Sequence, residues 1–364
     1  MRLIDRRDFM KAAGLAFAGS LSPRQLFALE KTDAVFATAY QLKGDGPCGL
    51  AVLSEDSKLL FSSPLPDRGH DVSFDPITRR SVIFARRPGT FAVAFDHTGA
   101  GQPLTITSPE GRHFFGHGVF SPDGALLYAT ENDYENAAGM IGIYDATDQF
   151  RRIGEFPTHG MDAHEMLLLD DGRTLAIANG GIETHPDFGR AKLNIATMKP
   201  SFVFIDRLSG DLLEKHELAP ELHQLSIRHM DQDQSGTLWF SGQYEGPETD
   251  RPQLIGKARM GSELELVAMD DHVLASFNNY TGAIAANRDA GTIAVSSPQG
   301  NALAIVDAAT GKLVSHQTLT EVCGLAPDRD GFVMTTGRGQ VIGADGNAAA
   351  FDDYFWDNHV LRIG

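Results

Sequence analysis

Four histidines stand in matching surroundings: Gly69-His70-Asp71, Gly116-His117-Gly118, Ala163-His164-Glu165 and Arg228-His229-Met230. The first three are evenly spaced at 47 residues, and His229 follows His164 after 65. Imidazole is a nitrogen donor suited to copper, iron, zinc and nickel. Gathered at one point, His70, His117, His164 and His229 would form a transition-metal site. Copper or iron is the leading ion and zinc a further option. Asp71, Glu165 and Met230 are candidate extra ligands or supports, since a ligating imidazole is commonly held through its second nitrogen by an acid. Cys323 and His359 occupy the equivalent place in two later units and join that group. Arg68, Arg112 and Arg228 stand just before the same strands, where they could bind an anion or pair with local carboxylates. His113, His159 and His223 fall outside the spacing and are read as loop histidines.

The elements that must position these side chains repeat as well. Each histidine opens a short apolar strand and then a turn, as in Val119-Phe120-Ser121-Pro122-Asp123-Gly124. A second strand follows, and then a third that closes on Asp96, Asp145 or Asp206. Units of roughly 40–50 residues built from short strands point to a β-propeller. In WD-repeat propellers the histidine lies outside the inner strand, about twice as far before the turn as His117 lies here. His117 therefore falls inside the inner strand, where alternate side chains face the central channel. The same alternation sends Val119 with His117, and turns Glu165 and Met230 away from their neighbouring histidines toward the blade.

Inner strands counted at His70, His117, His164, His229, Gly282, Cys323 and His359 give seven blades. Three strands near the start, at 34–40, 48–53 and 58–61, would complete the blade begun by the C-terminal strand at 356–363. The expected fold is all-β, a seven-bladed β-propeller with its ring closed by N- and C-terminal strands. Residues 180–200 read as a long loop on one face.

Composition narrows the function classes. The 364 residues carry a net charge of −17, which argues against a nucleic-acid partner and an anionic membrane surface. The 38 glycines and 17 prolines fit many turns. No G-x-S-x-G elbow, H-E-x-x-H helix, P-loop or dinucleotide fingerprint is present, and the positions of the only two cysteines exclude C-x-x-C-H haem attachment. Those two, Cys48 and Cys323, could meet as a disulfide where the ring closes or stay free.

The N-terminus carries a separate signal. Arg6-Arg7-Asp8-Phe9-Met10-Lys11 resembles the twin-arginine translocation motif and precedes a small-residue apolar run too short to span a bilayer. Residues 1–28 are expected to be a signal peptide and 29–364 a single propeller domain, exported folded to a bacterial periplasm. No later segment reads as a membrane span.

With that motif, the repeated histidine devices and the closing Trp356-Asp357-Asn358-His359, the chain resembles a family of uncharacterised exported bacterial seven-bladed propellers. Their genes tend to lie beside those of imelysin-like and di-haem oxidoreductase-like proteins. The resemblance implies a periplasmic metal-related role, with such a protein as a possible partner. Two other classes stay open: a metal-free scaffold that holds a partner, and a metal-dependent hydrolase or lactonase-like enzyme.

Overall fold

The computed structural model describes residues 35–96 and 103–363, so the expected signal peptide lies outside the described residues. Its middle strands are continuous apolar runs because both of their faces are covered. Thr174–Asn179, for example, is buried throughout. Such strands assemble into seven four-stranded antiparallel sheets. The innermost strands of the first six blades are Gly69–Asp75, Arg112–Phe120, Ala163–Leu168, Leu225–Gln232, Ala283–Asn287 and Val322–Asp328. The closing seventh blade takes its inner strand, Tyr354–Arg362, from the C-terminal end. Its other three strands are Val35–Leu42, Cys48–Ser54 and Leu59–Pro64, with Phe36 opposite Arg362 and Leu42 opposite Tyr354. Seven blades and ring closure by strands from both ends are both as the sequence leads one to expect.

In the first six blades the fourth, outer strand has no counterpart in the sequence reading; in the closing blade it is Leu59–Pro64, read at 58–61. Arg151–Pro157 alternates exposed with half-buried residues and carries two arginines and a glutamate. A sheet edge needs only one partner, so its sequence is polar and weakly patterned.

Between neighbouring blades lie seven apolar clusters, one per interface. Val82, Phe84, Phe114, Phe120 and Leu127 join the first blade to the second. Phe36, Leu53, Val333 and Trp356 join the sixth to the seventh. Each fully buried side chain of this size contributes about 1.5–3 kcal/mol through its burial, so the ring is held by its interfaces. The aspartates that end the third strands serve turns: Asp145, Asp206 and Asp307 each accept a backbone N–H two or three residues on, at 2.8–2.9 Å.

Residues 180–200 fold into two short 3-10 turns, Pro186–Phe188 and Ile195–Thr197. The segment is tied to itself by Leu193 N–H to the Glu183 carbonyl at 3.0 Å and by the Asn194 amide to the Gly181 carbonyl at 2.9 Å. One α-helix, Asp271–Phe277, occurs among the described residues, and no described helix is long and apolar enough to cross a membrane. Cys48 and Cys323 are both free and buried.

Candidate metal centre

Wherever an inner strand bears a histidine of the axial group, its ladder slips. The register shifts between Gly69 and Val72, between Phe114 and Gly118, between Ala163 and Glu165, and between Ile227 and His229. In the closing blade Asp357, Asn358 and His359 span the interval that Ala39 alone spans on the partner strand. A bulge breaks the two-residue alternation and re-aims side chains. It explains why Glu165 differs from expectation: beside His164, it still reaches inward and bonds His229. Met230 does turn into the blade, packing with Ile227 and Phe240. The backbone at Gly116 comes so close to the axis that a Cβ there would lie 2.5 Å from His70 Cδ2, at a φ of +110° that side chains disfavour.

Five histidines converge: His70, His117, His164 and His229, joined by His359. Ring centroids of His70 and His359 lie 4.5 Å apart, those of His229 and His359 4.6 Å, and those of His117 and His359 4.8 Å. One nitrogen from each of His117, His229 and His359 falls within a mutual 4.8 Å, and the same holds for His70, His117 and His164. Tetrahedral metal–nitrogen bonds of about 2.05 Å place ligand atoms roughly 3.4 Å apart, so the rings need to close by little more than an ångström. His359 belongs to the cluster as fully as His70, His117, His164 and His229.

Hydrogen bonds fix which nitrogens are free. His70 Nδ1 is 2.8 Å from Asp357 Oδ1, His117 Nδ1 is 3.1 Å from Asp71 Oδ2, and His229 Nδ1 is 2.9 Å from Glu165 Oε2. Each acid comes from the inner strand of the preceding blade, so neighbouring blades clip one another's histidines. Asp357, held ionised, only accepts, so Nδ1 of His70 carries its proton and Nε2 keeps its lone pair. The Asp71 carboxylate does the same for His117, whereas Glu165, raised by burial, can itself donate to His229. His117 Nε2 and His359 Nε2 are buried with no hydrogen-bond partner. His164 differs: its Nδ1 lies 2.9 Å from Arg228 Nη1, which can only donate. The His164 proton therefore sits on Nε2.

The electrostatics hold His70, His164, His229 and His359 neutral. Burial pulls His70 down to about 4 despite the Asp357 carboxylate, with His117 and Arg86 adding to the effect. Burial also pushes His164, His229 and His359 well below their ordinary value; Arg228 helps for His164, and the other rings for His229 and His359. Burial would raise Asp357, but Arg86, the His70 bond and Arg68 outweigh it and keep the carboxylate ionised well below the usual range. Glu165 is raised well above that range, by burial and then by Asp71 and Asp231. Asp231 rises to about 6 through burial. A cation at the histidines would offset the cost of charging these buried acids.

The cluster separates two cavities along the axis. Beyond the ends of the inner strands lies one of about 570 Å³, bordered by Asp71, Glu165, Asp231 and His359 among apolar side chains such as Val119, Leu168 and Ile284. On the opposite side, where the inner strands begin, a cavity of about 340 Å³ is lined by His70, His164, His229 and five cationic side chains. Those five are Arg86, Arg87, Arg190, Lys192 and Arg228.

The remaining candidates scatter. Arg68 bonds Asp357 at 2.7 Å beside the cluster, and Arg228 bonds Asp162 at 2.9 Å as well as His164. Arg112 instead pairs with Glu131, Asp133 and Glu155, among residues that line neither axial cavity. Cys323 packs with Ala326, Val333 and Trp356, and its thiol lies 3.4 Å from Thr335 Oγ1, outside both histidine groups. His113 is no loop histidine: it is buried at the start of the second inner strand, 3.0 Å from Asn132 Nδ2. His159 and His223 do lie in connecting segments. Sequence reasoning missed Arg86, Arg87, Arg190 and Lys192, because strand ends and a long loop deliver them without a period. The Arg86-Arg87 pair, one strand after His70, was the available signal.

The propeller is similar in fold to solved structures. Over 84% of this chain it superposes on 89% of a chain of Kuenenia stuttgartiensis hydrazine synthase, with 14% identity and a TM-score of 0.58. Over 86% it superposes on 97% of the Myceliophteria thermophila Cps50 (Swd1) β-propeller domain, with 12% identity and a TM-score of 0.57. At these identities the likeness is one of fold alone. None of the curated proteins matches significantly in sequence. A family pattern matches residues 63–363, from the strand end before the first histidine device to the closing strand, and by that match the chain belongs to the family described as protein of unknown function (DUF1513).

Proposed function

We propose that this protein binds one transition-metal ion on the propeller axis and works in periplasmic copper or iron handling or redox chemistry. The observation that carries this reading is the pair of buried, unpartnered Nε2 atoms on His117 and His359, beside His70, whose Nδ1 proton points at the Asp357 carboxylate, and His229, held by Glu165. An orphaned buried acceptor costs about 1–3 kcal/mol; a metal would satisfy both. His117, His229 and His359 are the principal ligands, with His70 as a fourth, whereas His164 would ligate through Nε2 only by giving up a proton. The donors are neutral imidazoles with no thiolate, which suits copper or iron, with zinc the alternative.

The twin-arginine-like N-terminus supports export of the folded protein to the periplasm, and the family resemblance supports an imelysin-like or di-haem oxidoreductase-like partner. Against a bare scaffold stand the axial rings clipped by carboxylates, an arrangement that orients ligands. Cavities on both sides of the cluster leave room for a small molecule beside the ion, which keeps a metal-dependent hydrolase as the second reading. Elemental analysis of the protein exported by its native route, without a histidine tag, tests the proposal. About one equivalent of copper or iron is expected. No metal after reconstitution with copper, iron and zinc would move the reading to the scaffold.

A further inference from the structure

We infer that the 340 Å³ cavity on the side where the inner strands begin is a binding site for a small organic anion carrying two or more carboxylates. It does not depend on a metal at the histidines.

Charge is the first argument. The chain as a whole is strongly acidic, at −17, yet no carboxylate lines this cavity and five cationic side chains do. Including Arg68 beside it there are six cations, and five of them share three acids: Asp357 with Arg68 and Arg86, Asp162 with Arg87 and Arg228, and Glu245 with Lys192. Arg190, an exposed side chain at the cavity mouth, has no ion pair or hydrogen bond among the described residues, and desolvation, Arg86 and Arg68 lower its pKa. Arg228 is 1% exposed, and its Nε has no partner. A buried guanidinium N–H without an acceptor is costly, and the shortage of acceptors around these cations is what an anion in the cavity would offset.

Shape and lining narrow the class. The cations come from three directions: Arg86 and Arg87 follow the second strand of the first blade, Arg228 lies on the fourth blade, and Arg190 and Lys192 hang from the 180–200 loop. An anion with oxygens at both ends can meet cations from all three. Tyr280, Gln243 and Asn358 add uncharged hydrogen-bonding groups, and Phe115 adds an apolar wall. At about 30 Å³ per water the space holds roughly eleven waters, the size of a di- or tricarboxylate. Guanidinium forks match carboxylates in bidentate fashion.

Calorimetric titration of the purified chain with succinate, citrate and inorganic phosphate tests this, using both chelator-treated and metal-reconstituted protein. The inference predicts that citrate or succinate binds the chelator-treated protein, more weakly as salt rises, and more tightly than phosphate. Replacing Arg190 and Lys192 together by alanine removes two partly exposed contacts and should weaken binding by at least about ten-fold. Arg151→Ala, an exposed control paired with Asp148, should change nothing. Phosphate binding as tightly as the polycarboxylates would overturn the ligand class. No binding by any of the three, or unchanged binding in the double variant, would overturn the site. Anion binding by a protein that takes up no metal would sink the metal proposal and leave this one standing.

Discussion

Asp357→Asn is the substitution whose consequences the structure specifies most fully. The carboxylate is 3% exposed and accepts from Arg68 at 2.7 Å, His70 at 2.8 Å, Arg86 at 3.0 Å and the Asn358 N–H at 2.8 Å. Asparagine keeps the shape but removes the charge and turns an amide donor toward donors. Breaking a buried ion pair by removing one partner costs about 3–5 kcal/mol. Arg68 is 39% exposed, so water replaces much of its share and the loss falls near 3 kcal/mol. At about 2.1 cal/mol/K per residue, unfolding this chain carries an entropy near 0.7 kcal/mol/K. The metal-free variant should therefore melt about 4 °C below wild type in matched calorimetric scans at pH 7. Because Asp357 also orients His70, metal affinity should fall by about 10–100-fold. Asp56→Asn, at an exposed pair with Lys58, serves as the control and should melt with wild type. A variant at position 357 that melts within a degree of wild type would refute the view that this buried charge knits the closing blade to the first.

Three further outcomes follow from the same geometry. Gly116→Ala forces a Cβ against His70 at a positive φ, and should cost about 2–4 kcal/mol while impairing metal uptake, read by denaturant melts and metal titration. His70 takes a proton below about pH 6.5 in the unfolded chain but only near 4 in the fold; the metal-free protein should thus lose stability as pH falls through that window, by about 3 kcal/mol for this ring alone, measurable by urea melts. Burial pushes the Cys323 thiol up to about 12, so the native protein should resist thiol reagents there, and the unfolded chain should titrate two thiols without reductant.

Much of this architecture is written locally. Apolar middle strands, Asp-led turns and the 47-residue recurrence of His70, His117 and His164 determine the ring, because each blade must bury both faces against neighbours of the same kind. What lies outside that recurrence is harder to read. His359 looks isolated since the two blades before it, at Ala283 and Val322, carry no axial histidine. Glu165 looks misdirected under strict alternation, and only the bulge at His164 turns both residues to use. The exposed outer strands have little apolar pattern to detect. Arg190 and Lys192 reach the axis through a folded loop, whose path depends on contacts such as Asn194 with Gly181 that no periodicity encodes.

The central claim is that the axial imidazoles hold a metal. Its most direct test is X-ray absorption of the copper- or iron-reconstituted protein, alongside His117→Ala and His359→Ala variants shown to be folded. The account predicts at least three imidazole nitrogens near about 2.0–2.1 Å in wild type, with one-equivalent binding lost or severely weakened in both variants. An oxygen-only coordination shell, or uptake that survives both substitutions unchanged, would contradict it.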